Sequence, residues 1–126
     1  MTRPSSQTET SSATRPRGLL DGRLKGGHDE GLVAGFVYIL ASKRNGTLYI
    51  GVTNNLAERI YEHRQGRGSK FVRQYGVTRL VWFEEHPLLA QAIQRETSIK
   101  RWNRSWKLEL IEKTNPEWRD LYDMLI

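Results

Sequence analysis

The sequence predicts an α+β fold in which a small three-stranded antiparallel sheet is flanked by helices, in the order β-β-α-β-α-α. Three observations predict it. Two short apolar runs rich in β-branched and aromatic residues surround an Asn-Gly turn, and a third such run follows further along the chain. The segments between and after these runs carry apolar residues three and four positions apart, which is the spacing of one helical face.

The first two strands are predicted to form a hairpin around Asn45-Gly46. This dipeptide, flanked by apolar residues that favour strands, is typical of a two-residue hairpin loop. With these two residues as the loop, Leu40 is expected to lie opposite Gly51. Directly opposed residues of an antiparallel pair share a face, so the pairing also assigns each strand residue to one side of the sheet.

The two faces of this hairpin differ in chemistry. Tyr38 and Tyr49 are predicted to share one face with Gly51, which leaves a gap beside the two phenol groups. Such a surface suits a bound ligand better than it suits a packed core. The other face is wholly aliphatic and is predicted to be core, with Val37, Ile39, Leu48, Ile50 and Val52.

The first helix is predicted directly after the hairpin. An Asn-Asn pair at positions 54–55 can cap its amino end. Leu56, Arg59, Ile60 and His63 then recur at the spacing of one helical face. Since Arg59 and His63 are four residues apart, they lie one turn from each other and can reach the same object.

A second long helix is predicted from about Leu88 to Trp102, and its apolar stripe is interrupted at Glu96. A lone carboxylate that faces inward is costly to desolvate unless it is paired, hydrogen-bonded or bound to a metal ion. Glu96 is therefore a candidate metal ligand. An ion pair with Lys100, one turn away on the same helix, is the alternative explanation.

The remaining segments are predicted to supply the third strand and the other helices that pack on the sheet. A short amphipathic turn is predicted at residues 71–75, and the third strand at Leu80–Phe83. Another helix is predicted over Trp106–Glu112. Asn115 followed by Pro116 has the pattern of an N-cap and a first helical residue, so a last helix is expected to begin there.

Composition and length indicate one small domain with a tail. The domain is expected at residues 35–126, and residues 1–34, poor in large apolar side chains, are expected to be disordered. The absence of cysteine excludes disulfides, thiolate metal sites and cysteine nucleophiles. The sequence has no apolar run long enough to span a bilayer and no apolar signal core, so a cytoplasmic protein without a membrane partner is predicted.

The net charge of +6 is gathered around the two predicted site helices, because basic residues outnumber acidic ones in segments 59–79 and 95–107. Basic patches of this kind attract polyanions, and a solvated basic face is the alternative explanation. Aromatic residues in the same segments can stack on bases or pack in the protein. The predicted nucleic-acid-binding residues are Arg64, Arg67, Lys70, Arg73, Lys100, Arg101 and Arg104.

Taken together, these residues resemble the GIY-YIG nuclease domain, and in particular its small stand-alone bacterial members. The resemblance covers roughly residues 35–121. The second half-motif is intact, whereas the first keeps only its tyrosine, because Phe36-Val37 stands where the family has Gly-Ile. The positions that carry the resemblance are Val37-Tyr38, Tyr49-Ile50-Gly51, Arg59, His63, Glu96 and Asn115.

This resemblance implies a metal-dependent endonuclease, acting on DNA rather than RNA, as a monomer or weak dimer. Glu96 would hold one divalent ion, Mg²⁺ or Mn²⁺, and Arg59 would bind phosphate oxygens. One of Tyr38 and Tyr49 would orient or deprotonate the attacking water, and His63 would accept its proton or bond a phenol. The resemblance does not determine which tyrosine does so.

Two further positions and several alternatives follow from the same resemblance. Gly51 and Asn115 are candidate supports of the site, although an N-cap before Pro116 also explains Asn115. A nucleic-acid-binding module that uses this fold without cutting is the alternative function. DNA repair, restriction and mobile-element roles all remain compatible with the sequence.

Overall fold

The computed structural model describes residues 33–125 and shows an α+β fold with one antiparallel sheet, as predicted. The sheet has the order β2-β1-β3, with strands β1 (Gly35–Ala41), β2 (Leu48–Thr53) and β3 (Arg79–His86). The helices are α1 (Leu56–Arg64), α2 (Lys70–Tyr75), α3 (Leu89–Lys100), α4 (Arg104–Thr114) and a 3-10 helix at Leu121–Leu125. The predicted tail lies outside the described residues apart from its last two positions.

The hairpin register differs from the prediction by two residues. Tyr38, rather than Leu40, lies opposite Gly51. The faces are nevertheless those predicted, because side chains alternate with a period of two and a slip of two residues restores every side chain to its side. Both tyrosines therefore lie on one face and the aliphatic residues on the other.

The error in register comes from the turn. The prediction that Asn45 and Gly46 alone form the loop was wrong. The Ser42 N–H donates to the Thr47 carbonyl at 3.0 Å, and the Gly46 N–H donates to the Lys43 carbonyl at 2.9 Å. The loop therefore has four residues, and Asn45 takes a left-handed conformation with φ of 58° that asparagine tolerates well.

The sheet separates two apolar clusters. The aliphatic face packs against α3 and α4, and its buried residues include Val37, Ile39, Ile50, Leu89, Ala92, Ile99, Ile111 and Trp118. The tyrosine face packs against α1 and α2, and its buried residues are Tyr38, Leu40, Tyr49, Leu56, Ile60, Val72, Val77 and Leu80. Burying a large apolar side chain contributes about 1.5–3 kcal/mol, so both clusters stabilise the sheet on which the tyrosines stand.

The predicted last helix is absent from its expected place. Asn115 is not an N-cap but ends α4, where its N–H donates to the Ile111 carbonyl at 2.8 Å. Its side-chain amide donates to the carbonyls of Val81, at 3.1 Å, and Arg119, at 2.9 Å. Val81 is the residue at a β-bulge of β3 that has no partner on β1. Asn115 therefore ties the chain end to this bulge.

Trp118 explains why the chain turns here instead of continuing as a helix. Its φ of 56° is left-handed, which an α-helix does not allow. The indole is fully buried, and its N–H donates to Glu112 at 2.8 Å. The conformation that places this side chain in the core therefore breaks the helical repeat, and a 3-10 helix of five residues follows.

Asp120 joins the C-terminal segment to the end of α1. Its carboxylate accepts hydrogen bonds from Arg64 at 2.8 Å and from the backbone N–H groups of Leu80 and Tyr122. Burial disfavours the charged carboxylate, but these hydrogen bonds outweigh it and hold the pKa of Asp120 below its ordinary value. The segment thus helps to fix the helix that carries Arg59 and His63.

These hydrogen bonds of Asp120 are expected to make the stability of the fold sensitive to acid. Because the pKa of Asp120 is lower in the folded protein, its contribution is present above the unfolded value of about 3.9 and is lost as pH falls through the folded value. Asp120→Asn is expected to lower the free energy of unfolding at pH 7 by about 1 kcal/mol and to flatten its decline below pH ~4. Urea unfolding followed between pH 7 and 2 measures this, with the exposed Asp123→Asn as control. An unchanged acid profile in Asp120→Asn would contradict the assignment.

Within residues 33–125, no helix is both long enough and apolar enough to span a membrane.

Candidate active site

Two tyrosines from neighbouring strands form the floor of the candidate site. Tyr38 lies on β1 and Tyr49 on β2, with their ring centroids 6.3 Å apart. Gly51 is opposite Tyr38, and a Cβ at this position would collide with the hydroxyl and Cζ of the Tyr38 ring. The gap predicted beside the phenols is thus filled by the Tyr38 ring itself, which crosses over β2 at the glycine.

His63 completes a buried aromatic trio on this floor. Its ring centroid lies 5.8 Å from that of Tyr38 and 5.4 Å from that of Tyr49. Tyr38, rather than Tyr49, bonds it directly, since the Tyr38 hydroxyl and His63 Nε2 share a hydrogen bond of 2.9 Å. The structure therefore distinguishes two tyrosines that the sequence left equivalent.

Burial keeps this pair uncharged. Desolvation, followed by the charge of Arg59, lowers the pKa of His63 to about 3, so its imidazole is neutral at physiological pH. Desolvation, followed by the neighbouring Tyr49, raises the pKa of Tyr38 well above its ordinary value, and Arg59 offsets only part of this. Tyr38 is thus a neutral phenol in this state of the protein, and its hydroxyl shares a hydrogen bond with His63.

Gly68 covers the other edge of the imidazole. A Cβ on Gly68 would collide with His63 Nδ1 and lie 2.7 Å from Cε1. Within residues 33–125, Nδ1 is buried without a hydrogen-bond partner. The loop before α2 therefore packs directly on His63. The sequence pattern does not indicate this contact, since it joins residues that share no helical or strand repeat.

Arg59 lies at the rim of the floor. One guanidinium nitrogen donates to Glu62 at 2.9 Å, and another donates to the Gly68 carbonyl at 3.3 Å. Its positive charge acts on the Tyr38 hydroxyl, and its side chain remains about one-fifth exposed, with 20% accessible. Arg59 is therefore oriented by the protein and still open to solvent. Glu62, three residues further along α1, is a partner that the helical spacing alone could have indicated.

Glu96 projects from α3 into a buried position. Only 1% of its side chain is exposed, and Lys100 Nζ lies 2.9 Å from its Oε2 atom. The ion pair considered as an alternative from the sequence is thus present. The charge of Glu96 also adds to the rise in the Tyr38 pKa, after burial and Tyr49. The carboxylate therefore lies within electrostatic reach of the tyrosine floor, although the apolar residues of α3 pack on the opposite face of the sheet.

Residues 34–109 match the family described as the GIY-YIG catalytic domain. This chain belongs to the GIY-YIG family. Proteins similar to this chain include a UPF0213 protein of Clostridium perfringens. It is 45% identical over 76 residues, which cover 60% of this chain and 81% of the relative.

Two further UPF0213 proteins are similar to this GIY-YIG domain. A UPF0213 protein of Syntrophus aciditrophicus is 40% identical over 83 residues, covering 65% of this chain and 93% of the relative. The solution structure of a UPF0213 protein from Bacillus halodurans is 30% identical, with a TM-score of 0.46, and covers 70% of this chain and 93% of that one. The match to the GIY-YIG family ends within α4, so Asn115, Trp118 and Asp120 lie beyond it.

The donor set of this GIY-YIG domain offers one carboxylate to a metal ion. Residues 33–125 contain no cluster of three or more His, Asp or Glu side chains that could enclose an ion. Glu96 Oε2 is buried and has no aligned hydrogen-bond partner in the same range. Mg²⁺ commonly keeps several waters and takes one or two carboxylates together with phosphate oxygens, so a single buried carboxylate near the tyrosine floor fits it.

Two of the predicted nucleic-acid-binding arginines are engaged within the protein. Arg64 donates to Asp120 and lies over the Tyr122 ring, 4.5 Å from its centroid. Arg104 donates to the carbonyls of Asn45 and Gly46, at 2.8 and 2.6 Å. Arg64 therefore joins the end of α1 to the C-terminal segment, and Arg104 joins the start of α4 to the loop between β1 and β2.

The other predicted basic residues are distributed differently. Arg67, Lys70 and Arg101 are exposed, and Arg73 is exposed while donating to the Gly66 carbonyl at 3.1 Å. Lys100 pairs with Glu96. Among the predicted nucleic-acid-binding residues, the exposed cations therefore lie mainly on the segment from the end of α1 through α2, beside the tyrosine floor.

Aromatic side chains extend from this floor to the surface. Phe71 stacks on Tyr49 with centroids 6.1 Å apart, and Tyr75 lies 4.8 Å from Phe71 and is 52% exposed. On the α3–α4 side, Trp102 and Trp106 meet edge to face and line a groove of about 440 Å³. Both places offer flat apolar surface beside basic residues.

Proposed function

We propose that this GIY-YIG domain is a metal-dependent endonuclease that hydrolyses phosphodiester bonds of DNA. The observation that carries the proposal is Glu96, a carboxylate only 1% exposed whose charge reaches Tyr38. Burying such a group is costly, and a module that only binds a polyanion gains nothing from it. Membership of a family named for its catalytic domain supports the same conclusion.

Arg59 is proposed to bind the non-bridging oxygens of the scissile phosphate. Its guanidinium is oriented by Glu62 and the Gly68 carbonyl and remains partly exposed. A planar guanidinium can donate two parallel hydrogen bonds to a phosphate. Because these donors are already in place, they stabilise the charge that develops on the phosphate during attack.

The two tyrosines are proposed to have different roles. Tyr38 is neutral, buried and bonded to His63, so it donates or accepts one fixed hydrogen bond. Tyr49 lies beside this pair without being the bonding partner of His63, and it is the tyrosine we assign to the attacking water. His63 holds the Tyr38 hydroxyl in place, and Gly68 holds His63.

Glu96 is proposed as the protein ligand of a divalent cation, Mg²⁺ or Mn²⁺. Such an ion, when bound, supplies positive charge at the scissile phosphate and the leaving oxygen. The exposed cations from Arg67 to Arg73 are proposed to follow the nucleic-acid backbone, with Tyr75 available to stack on a base. We still predict that the protein is a monomer or weak dimer and that it acts in the cytoplasm.

A panel of labelled nucleic acids tests this proposal. Single-stranded, duplex, flap and branched DNA and matching RNA are incubated with the protein in Mg²⁺, Mn²⁺ or EDTA. We expect cleavage of at least one DNA in the presence of metal and none in EDTA, with Glu85→Gln, an exposed acid on β3, behaving as wild type. Salt-sensitive binding without cleavage in any metal would instead establish a nucleic-acid-binding module.

A further inference from the structure

We propose that Lys100 is a built-in counter-cation of Glu96 that competes with a divalent ion for the Oε2 atom of this carboxylate. The inference rests on the proposed function, because it takes Glu96 to be the metal ligand. It assigns to Lys100 a positioning role that sets the affinity of the site for its ion. The residues concerned are one turn apart on α3.

The geometry of the pair is that of a charge contact rather than a directed bond. Lys100 Nζ lies 2.9 Å from Glu96 Oε2. The angles do not meet those of a hydrogen bond, and neither atom has a hydrogen-bond partner within residues 33–125. An ammonium group has three donors, and none of them has an aligned acceptor in the part of the chain that the structure describes, so the charge of Glu96 is what holds Lys100 in place there.

Burial makes a cation at this position necessary. The side chain of Glu96 is 1% exposed and that of Lys100 12% exposed. A carboxylate left unpaired in such a place is strongly destabilising, because neither water nor a counter-ion compensates its charge. Lys100 therefore stabilises the metal-free protein. The same contact covers Oε2, so an ion can reach that oxygen only when the ammonium moves away.

Removal of the lysine charge should therefore strengthen metal binding. We expect Lys100→Met to bind Mn²⁺ about tenfold more tightly than wild type in the absence of nucleic acid, within the usual range of coupling between two ligands. Lys100→Arg, which keeps the charge, is expected to show no gain. Lys113→Met, an exposed lysine of α4, is the matched control and should bind as wild type. Free Mn²⁺ measured by electron paramagnetic resonance gives the affinities without any reading of activity.

Thermal unfolding gives an independent readout. In EDTA, Lys100→Met should unfold at a temperature about 4–8 °C below wild type, and saturating Mn²⁺ should remove the difference. The double variant Glu96→Gln/Lys100→Met should recover most of the lost stability in EDTA, since no charge is left unpaired. If Lys100→Met alone does not fold, a folded double variant still supports the counter-cation role, and an unfolded one contradicts it.

The outcomes separate this inference from the proposed function. If Glu96→Gln binds Mn²⁺ as wild type does, Glu96 is not the metal ligand and the proposed metal site fails. If Glu96→Gln loses binding while Lys100→Met binds no more tightly than wild type, only the role of Lys100 is overturned. Absence of Mn²⁺ binding in both wild type and Lys100→Met would also overturn it.

Discussion

Replacement of Arg59 by lysine is expected to lower the rate of nucleic-acid cleavage by about 10²–10³-fold, the usual effect of removing one preorganised donor at a developing charge. Lysine keeps the positive charge but loses the planar fork. Binding of the nucleic acid should change little, because the net charge of the surface is unchanged. Single-turnover cleavage and binding measured at one salt concentration separate the two effects.

The control for this substitution is Arg101→Lys, which makes the same change at an exposed position at the end of α3. It is expected to cleave within about twofold of wild type, since surface charge of unchanged sign contributes mainly to binding. Cleavage by Arg59→Lys at a rate equal to that of Arg101→Lys would show that Arg59 does not contact the reacting phosphate.

Removal of the two tyrosine hydroxyls is expected to have two different results. Tyr38→Phe leaves His63 Nε2 buried without its 2.9 Å partner and should lower the free energy of unfolding by about 1–3 kcal/mol. Tyr49→Phe should leave stability close to wild type and lower cleavage by about 10²–10⁴-fold, the usual contribution of a group that assists proton transfer. Urea unfolding and single-turnover cleavage measure the two quantities.

The two variants show which tyrosine acts on the attacking water and which one has a structural role. Full cleavage by Tyr49→Phe would exclude Tyr49 as the group that acts on water. An unchanged free energy of unfolding in Tyr38→Phe would contradict a structural hydrogen bond between Tyr38 and His63. His63→Gln, which keeps a polar group near the Tyr38 hydroxyl, should be less destabilised than His63→Ala.

The faces of the sheet could be predicted from sequence because they depend only on alternation. Tyr38 and Tyr49 were assigned to one side by counting, and a slip of two residues did not change that result. The register itself could not be predicted, because Asn45-Gly46 fits a loop of two residues or of four. Helix α1 was predictable from its cap and its four-residue spacing, which also placed Arg59 and His63 one turn apart.

Longer-range features of the site had no local signal. Asparagine before proline is compatible with the start or the end of a helix, and only the buried Trp118 with its positive φ decides for the end. Likewise, nothing near Gly68 in sequence indicates that it packs on His63. Burial also keeps Tyr38 a neutral phenol, and a sequence pattern does not measure burial.

The rate of cleavage by Glu96→Gln tests most directly the central claim, which is that Glu96 holds the divalent ion needed for cleavage. The amide keeps the size of the side chain and removes the charge that would hold a divalent ion. With the DNA that wild type cleaves, in Mg²⁺ and in Mn²⁺, we predict a rate at least about 10³-fold below wild type, with DNA binding retained or tightened. Metal-dependent cleavage by Glu96→Gln at the wild-type rate would contradict the assignment of Glu96, and with it the metal site proposed for this domain.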